Sequence, residues 1–221
     1  MIDAGHQSHA MTGAENQESI GPGSTETKDK VTSGTTGVYT GYNEYELNLE
    51  VALKLKTILQ SRGYKVYMTR ETNDVQISNI ERTEIANMAE ADVLIHIHAN
   101  WDETSSQRGA FTICQTSNSI YNSNIYSDCR LLSECVLDGF CNQTGFSKCP
   151  IWKNDNMEND IIWETDSMTG INWSEVPVTI IEMGYMSNAE EDIIMSKESF
   201  WINAATGIAN GIDAYISLLD K

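Results

Sequence analysis

Two short, nearly unbroken apolar runs, Val93-Leu94-Ile95-His96-Ile97-His98 and Val178-Thr179-Ile180-Ile181-Glu182, restrict what this chain can become more than any other feature. Each is too short for a core helix and too uniformly apolar for a strand with one wet face. Such runs are strands buried on both faces of a parallel sheet, which needs helices above and below it. Helical periodicity stands around them. Leu47, Val51, Leu55 and Ile58/Leu59 recur at helical spacing over residues 44–60, with Gly63 as the stop. Ile80, Ile85 and Met88 do so over 77–89, Leu131, Leu132, Cys135, Val136 and Phe140 over 125–140, and Ala205, Ile208, Ile212, Tyr215/Ile216 and Leu219 over 200–219. Ser187 and Glu190 stand in capping-box spacing ahead of another short helix. Residues 64–68 and 111–113 read as further strands, and Met1-Ile2-Asp3-Ala4-Gly5-His6 as the tail of a buried strand entering a glycine turn. So little strand precedes that turn that the natural chain is expected to continue upstream.

The alternation predicts an α/β fold: a twisted, mostly parallel sheet with helices on both faces and the active site at the carboxyl ends of the strands. At 221 residues the chain is expected to form one domain, residues 1–221. Residues 7–43, rich in Gly, Ser, Thr and Asn, read as a long surface loop, and residues 142–172 as an irregular insertion. Both are expected to flank the crevice.

Charge excludes some partners. Acidic residues outnumber basic ones 32 to 14, for a net charge of −18, which opposes binding to nucleic acid and to anionic membranes or wall polymers. Acids dominate between Trp152 and Asp192, where Lys153 is the one basic residue, and most of them are expected to form a solvated face. No apolar run approaches the ~18–20 residues needed to span a bilayer, so no membrane insertion is expected. The five cysteines, Cys114, Cys129, Cys135, Cys141 and Cys149, lack CxxC spacing and cannot all pair within the chain. None stands in a context suited to a thiol nucleophile.

In an open parallel sheet, side chains at strand carboxyl ends share one crevice. His6, His98 and Glu182 each end a strand, and Glu44 opens the first helix. His6, Glu44 and His98 make a two-histidine, one-carboxylate set, which leaves a fourth position for water on a catalytic zinc. Singly, each also fits an ordinary structural role: a hydrogen-bonded histidine, or a helix-start carboxylate facing the dipole.

The contexts of these residues narrow the choice. Asp3-Ala4-Gly5-His6; Glu44 followed by Asn48-Leu49 and a helix ending Ser61-Arg62-Gly63-Tyr64-Lys65-Val66; Arg82 with Ala86-Asn87; Ala91-Asp92 leading to Ile97-His98-Ala99-Asn100; and Val176-Pro177 leading to Glu182-Met183-Gly184-Tyr185-Met186-Ser187-Asn188 occur in that order. This arrangement closely resembles the zinc-dependent N-acetylmuramoyl-L-alanine amidases of type 3. Ile20-Gly21-Pro22-Gly23-Ser24 and residues 165–177 look like the clostridial and related Gram-positive branch.

The resemblance implies a peptidoglycan hydrolase that cleaves the amide between N-acetylmuramic acid and the L-alanine of the stem peptide. It implies zinc held by His6, Glu44 and His98, with Glu182 as catalytic carboxylate. It also implies a monomer working outside the cell or in the wall, with its export signal expected upstream. The alternatives are a non-catalytic wall-binding module of the same fold, or another zinc amide hydrolase acting as a peptidase or deacetylase. The chain departs from the family pattern at His96, where the family usually has Ser, and at Tyr45, where it often has Lys. Alternation puts His96 on the same strand face as His98, so it is either a packed core histidine or half of an HxH metal pair. His9 reads as a solvated loop histidine.

Overall fold

A computed structural model describes residues 1–153 and 158–219. In chain order the elements are β1 (Ile2–Ala4), β2 (Gln17–Ser19), β3 (Thr27–Asp29), α1 (Glu44–Ser61), α2 (Asn79–Met88), β4 (Leu94–Asn100) and β5 (Phe111–Cys114). They continue with α3 (Tyr126–Thr144), β6 (Ile151–Lys153), β7 (Glu158–Asp160), β8 (Ile162–Glu164), α4 (Thr169–Asn172), β9 (Val178–Tyr185), α5 (Ala189–Met195) and α6 (Glu198–Leu219).

The central sheet has the order β1-β4-β9-β5-β8. Pairing is parallel except between β9 and β5, so the expected mostly parallel sheet is observed, with its last two strands reversed. Both apolar runs became the central pair β4 and β9. Their alternation sorts the core. Ile95, Ile97, Ala99, Ile181 and Met183 pack with α1, α3 and α6 residues such as Leu55, Phe140 and Ile208. Leu94, Val178, Ile180, Phe111 and Ile113 pack on the other face with Ala86 of α2 and Ile171 of α4. Helices therefore cover both faces, and the short, thin layer of α2 and α4 lies on the side to which His96, His98 and Glu182 point. No helix among the described residues is long and apolar enough to cross a membrane.

Several local expectations are corrected. Residues 64–68 form no strand: because β1 is three residues long, it offers the segment a single bridge, Ile2 to Met68. The 7–43 loop contains the β2–β3 hairpin and is tied to the body, with Trp173 Nε1 donating to Ser19 O at 3.0 Å and Asn79 N to Lys30 O at 2.9 Å. The 142–172 stretch is not wholly irregular, since it supplies β6, β7, β8 and α4; within it, residues 154–157 lie outside the described residues. The α5 cap is Asn188, whose side chain accepts from Glu190 N and Glu191 N, while Ser187 Oγ accepts from Asp102 N at 3.0 Å. Nor are the late acids all solvated. Buried Glu191 accepts from Gly109 N at 2.7 Å and Tyr185 N at 2.8 Å, and buried Asp192 takes Tyr39 N and Thr40 N at 2.8 Å each.

Candidate metal centre

Glu44 is the first residue of α1, whose start is set by a reciprocal contact in which Asn43 N donates to Glu46 Oε2 at 3.3 Å. That start brings the buried Glu44 carboxylate between two histidines: its Oε1 is 3.1 Å from His6 Nε2 and 3.1 Å from His98 Nδ1. One ligand atom from each of the three residues lies within 4.8 Å of the other two, and among the described residues no other group of three or more His, Cys, Asp or Glu does so. Tetrahedral zinc with bonds of about 2.0–2.1 Å spaces its ligand atoms roughly 3.3 Å apart, so the donor set fits zinc in both type and spacing.

The surroundings hold these side chains in place. His6 sits just past β1 in the left-handed region, at φ 60, a conformation uncommon outside glycine and frequent at functional positions. Its Nδ1 donates to Thr32 O at 3.0 Å, which orients the ring with Nε2 toward Glu44. Glu44 Oε2 accepts from Thr35 N at 2.9 Å, and Oε1 from Asn48 Nδ2 at 3.3 Å and Ala99 N at 3.2 Å. Two glycines make the room. A Cβ at Gly5 would fall 2.2 Å from His98 Nε2, and one at Gly34, where φ is +76, would fall 2.5 Å from Glu44 Oε2.

Electrostatics follow from burial and these contacts. Burial alone would raise the Glu44 carboxyl, but the charge of His6 and hydrogen bonds from both histidines hold it well below the usual carboxylate range. Burial pushes His6 down, yet the Glu44 charge outweighs it and the imidazole ends above its ordinary value. His98 ends lower, through burial first. Glu182 is different: burial, then the charge of Glu44, raises it well above an ordinary glutamate, and among the described residues nothing hydrogen-bonds its buried Oε2. Register makes Glu182 the β9 partner of His98 on β4.

All four predicted residues thus converge, and His6, His98 and Glu182 line one cavity of about 240 Å³ with Asp3, Thr32, His96 and Gly170. His9 does not; it pairs with Asp74 at 2.9 Å on the exposed loop. His96 is no member of the ligand group, since its Nδ1 is 2.8 Å from Asp3 Oδ2. Tyr45 carries no cation to the site; its backbone oxygen accepts from Arg70 Nη2 at 2.8 Å. The sequence reading assigned no role to Arg82, whose Nη1 donates to Asp3 Oδ1 at 2.7 Å and whose Nη2 donates to His6 O at 3.0 Å. The sequence marks it as the arginine ahead of Ala86-Asn87 in the pattern quoted above, one turn before Ala86 on the inward face of α2. Thr32 meets the ring through both its backbone carbonyl and its hydroxyl, each 3.0 Å from His6 Nδ1, and no motif in the sequence marks the pairing.

A family model described as N-acetylmuramoyl-L-alanine amidase matches residues 1–214. Among curated relatives, N-acetylmuramoyl-L-alanine amidase LytC of Bacillus subtilis is 27% identical over 183 residues, which cover 83% of this chain and 33% of the relative, so the chain spans about a third of that protein's length. Among solved structures, the N-acetylmuramyl-L-alanine amidase Ami1 of Mycobacterium smegmatis superposes with a TM-score of 0.82 at 20% identity, covering 98% of this chain and 95% of that one. The catalytic domain of CwlV, an N-acetylmuramoyl-L-alanine amidase from Bacillus (Paenibacillus) polymyxa, gives 0.71 at 26% identity, with 98% and 96% covered. The shared architecture runs from β1 to α6, and with a family match over nearly its whole length the chain belongs to the N-acetylmuramoyl-L-alanine amidase family.

Proposed function

We propose that this chain is a zinc-dependent peptidoglycan hydrolase cleaving the amide between the lactyl group of N-acetylmuramic acid and the L-alanine of the stem peptide. The observation that carries this reading is the His6–Glu44–His98 donor set beside a Glu182 whose buried Oε2 has no hydrogen-bond partner among the described residues, with His6, His98 and Glu182 lining one cavity. Zinc, when bound by His6, Glu44 and His98, supplies Lewis acidity and brings the pKa of a water toward ~7. Thr32 orients the His6 ring, and Gly5 and Gly34 keep the ligands at bonding distance. Glu182 takes the proton of the attacking water and delivers it to the departing L-alanine amine, a role typically contributing about 10²- to 10⁴-fold. With no hydrogen-bond partner among the described residues, its Oε2 is available to both proton transfers.

On this reading residues 1–221 are a catalytic domain that works as a monomer on peptidoglycan, outside the cytoplasmic membrane. The test is to incubate purified peptidoglycan with zinc-loaded protein and sequence the soluble products by mass spectrometry. Free peptides beginning with L-alanine are expected, and Glu182→Gln should release them about 10² to 10⁴ times more slowly while keeping its zinc. Peptides cut internally, or acetate alone, would favour a peptidase or deacetylase. Tight wall binding with no release by the wild type would favour a binding module.

A further inference from the structure

We infer that His96, held by Asp3, is a substrate-binding residue whose Nε2 accepts a hydrogen bond from an amide N–H of the bound substrate. This rests on the amidase reading above and goes beyond its four-residue site.

The argument begins with Asp3. Its Oδ1 takes the Arg82 guanidinium at 2.7 Å and the Thr69 hydroxyl, and its Oδ2 lies 2.8 Å from His96 Nδ1. A carboxylate so surrounded only accepts, so Nδ1 carries a hydrogen and donates it. In the neutral imidazole that leaves Nε2 with its lone pair free. His96 is 4% exposed, and among the described residues Nε2 has no partner. Leaving a buried polar atom unpaired is costly and calls for an explanation, and an atom that faces a cavity can be paired by a bound ligand.

The direction of that lone pair is marked by its neighbours. His96 lines the same cavity as His6, His98 and Glu182. Over it lies Gly170 of α4, where a Cβ would come within 3.2 Å of Nε2 and 3.1 Å of Cε1, so any larger residue would fill the approach. A metal is not the natural occupant, because His96 belongs to no group of three ligand atoms among the described residues. A lone pair calls for an N–H or O–H. In a muramoyl peptide the amide N–H groups nearest the scissile bond come from two sources, the N-acetyl group of the sugar and the stem peptide.

Two isosteres separate binding from support. Asparagine at position 96 reproduces the Nδ1 donor to Asp3 but offers nothing at Nε2; glutamine places an amide oxygen near Nε2. With zinc at wild-type content, His96→Asn is expected to raise KM for soluble muropeptides about tenfold with kcat within about twofold, and His96→Gln to recover most of the loss. In the zinc-loaded Glu182→Gln background, His96→Asn should weaken equilibrium binding of N-acetylmuramoyl-L-alanyl-D-isoglutamine by a similar factor. The same comparison with N-acetylmuramic acid and with L-alanyl-D-isoglutamine tells which half of the ligand supplies the N–H. Wild-type KM in His96→Asn overturns the inference while the amidase reading stands. If His96→Asn unfolds or loses zinc, Gly170→Ala decides: a raised KM supports substrate approach at Nε2, and an unchanged one overturns it. A wild type that releases no stem peptide sinks the amidase reading and this inference together.

Discussion

Glu182 stands directly opposite His98 across the parallel β4–β9 ladder, so a metal-ligand candidate and an acid/base candidate share one rung of the sheet. Neighbouring strands lie about 4.8 Å apart, and side chains at one rung point to the same face. The spacing between ligand and carboxylate is therefore a property of backbone pairing rather than of flexible loops. Sliding β9 by one residue would turn Glu182 into the main core and put Ile181 and Met183 on the face it left.

That placement makes Glu182 a liability in metal-free protein. Its carboxyl is raised well above the usual range, by burial first, so from about pH 4.3 up to its own higher value the folded state holds a proton that the unfolded chain releases. Stability contributed by the neutral acid is lost as pH rises through that window. Glutamine does not titrate. Glu182→Gln should therefore raise the melting temperature of chelator-treated protein at pH 8, by about 2–4 °C for each ~1 kcal/mol relieved, and the gap should close toward pH 4. Melting curves at the two pH values check this; a gap that widens at pH 4 contradicts it.

Gly34 bears directly on the donor set. A Cβ there would press on Glu44 Oε2 and on His6 Cδ2, 2.8 Å away, from a backbone at φ +76. Gly34→Ala should cut zinc affinity about 10- to 100-fold, the range typical of changes next to a ligand, with the far-ultraviolet circular dichroism unchanged. Competition against a chromophoric chelator measures the affinity.

Asp3 carries stability as well as the His96 ring. The charge of Arg82 and hydrogen bonds from His96 and Thr69 outweigh burial and hold its carboxyl well below the usual range. A depressed acid contributes stability above its unfolded pKa near 3.9 and loses it as pH falls toward the folded value. Asp3→Asn removes the charge facing an Arg82 that is 1% exposed, a loss of about 3–5 kcal/mol for a buried pair broken on one side. Urea unfolding should show the full deficit at pH 7 and a smaller one near pH 3.

The cysteines should be spectators. All five are free, and burial, as the leading cause, pushes Cys114 up to about 12 and Cys141 to about 11, so few thiolates exist at neutral pH. Treatment with a thiol-specific disulfide reagent should label them slowly and leave peptidoglycan hydrolysis intact while zinc is retained. Loss of hydrolysis with zinc still bound would assign one of them a role.

What could be read from the chain was whatever depends on short-range pattern. β4 and β9 announce themselves because a strand buried on both faces must be apolar throughout, and the ligand candidates because they stand where strands end and a helix begins. Alternation also placed His96 beside His98. β8 escaped notice because three residues with Trp163 partly exposed carry no period, and a four-residue β5 holds nothing that specifies its reversed direction. Glu191 and Asp192 look like surface acids because the backbone N–H groups they accept from come from distant loops, Gly109 and Tyr39–Thr40. The Asp3–Arg82–His96 cluster is assembled from a strand, a helix and another strand, and none of the three local contexts mentions the other two.

The donor set has one more consequence, for the unfolded chain. His6, Glu44 and His98 belong to three separate stretches, the last two 54 residues apart. An ion gripping all three closes two long loops at once, and cross-links across long loops remove the most freedom from a denatured polypeptide. A metal bound there would thus behave as a reversible staple whose grip lapses when the ion is chelated, tying resistance to proteolysis and heat to the supply of that ion.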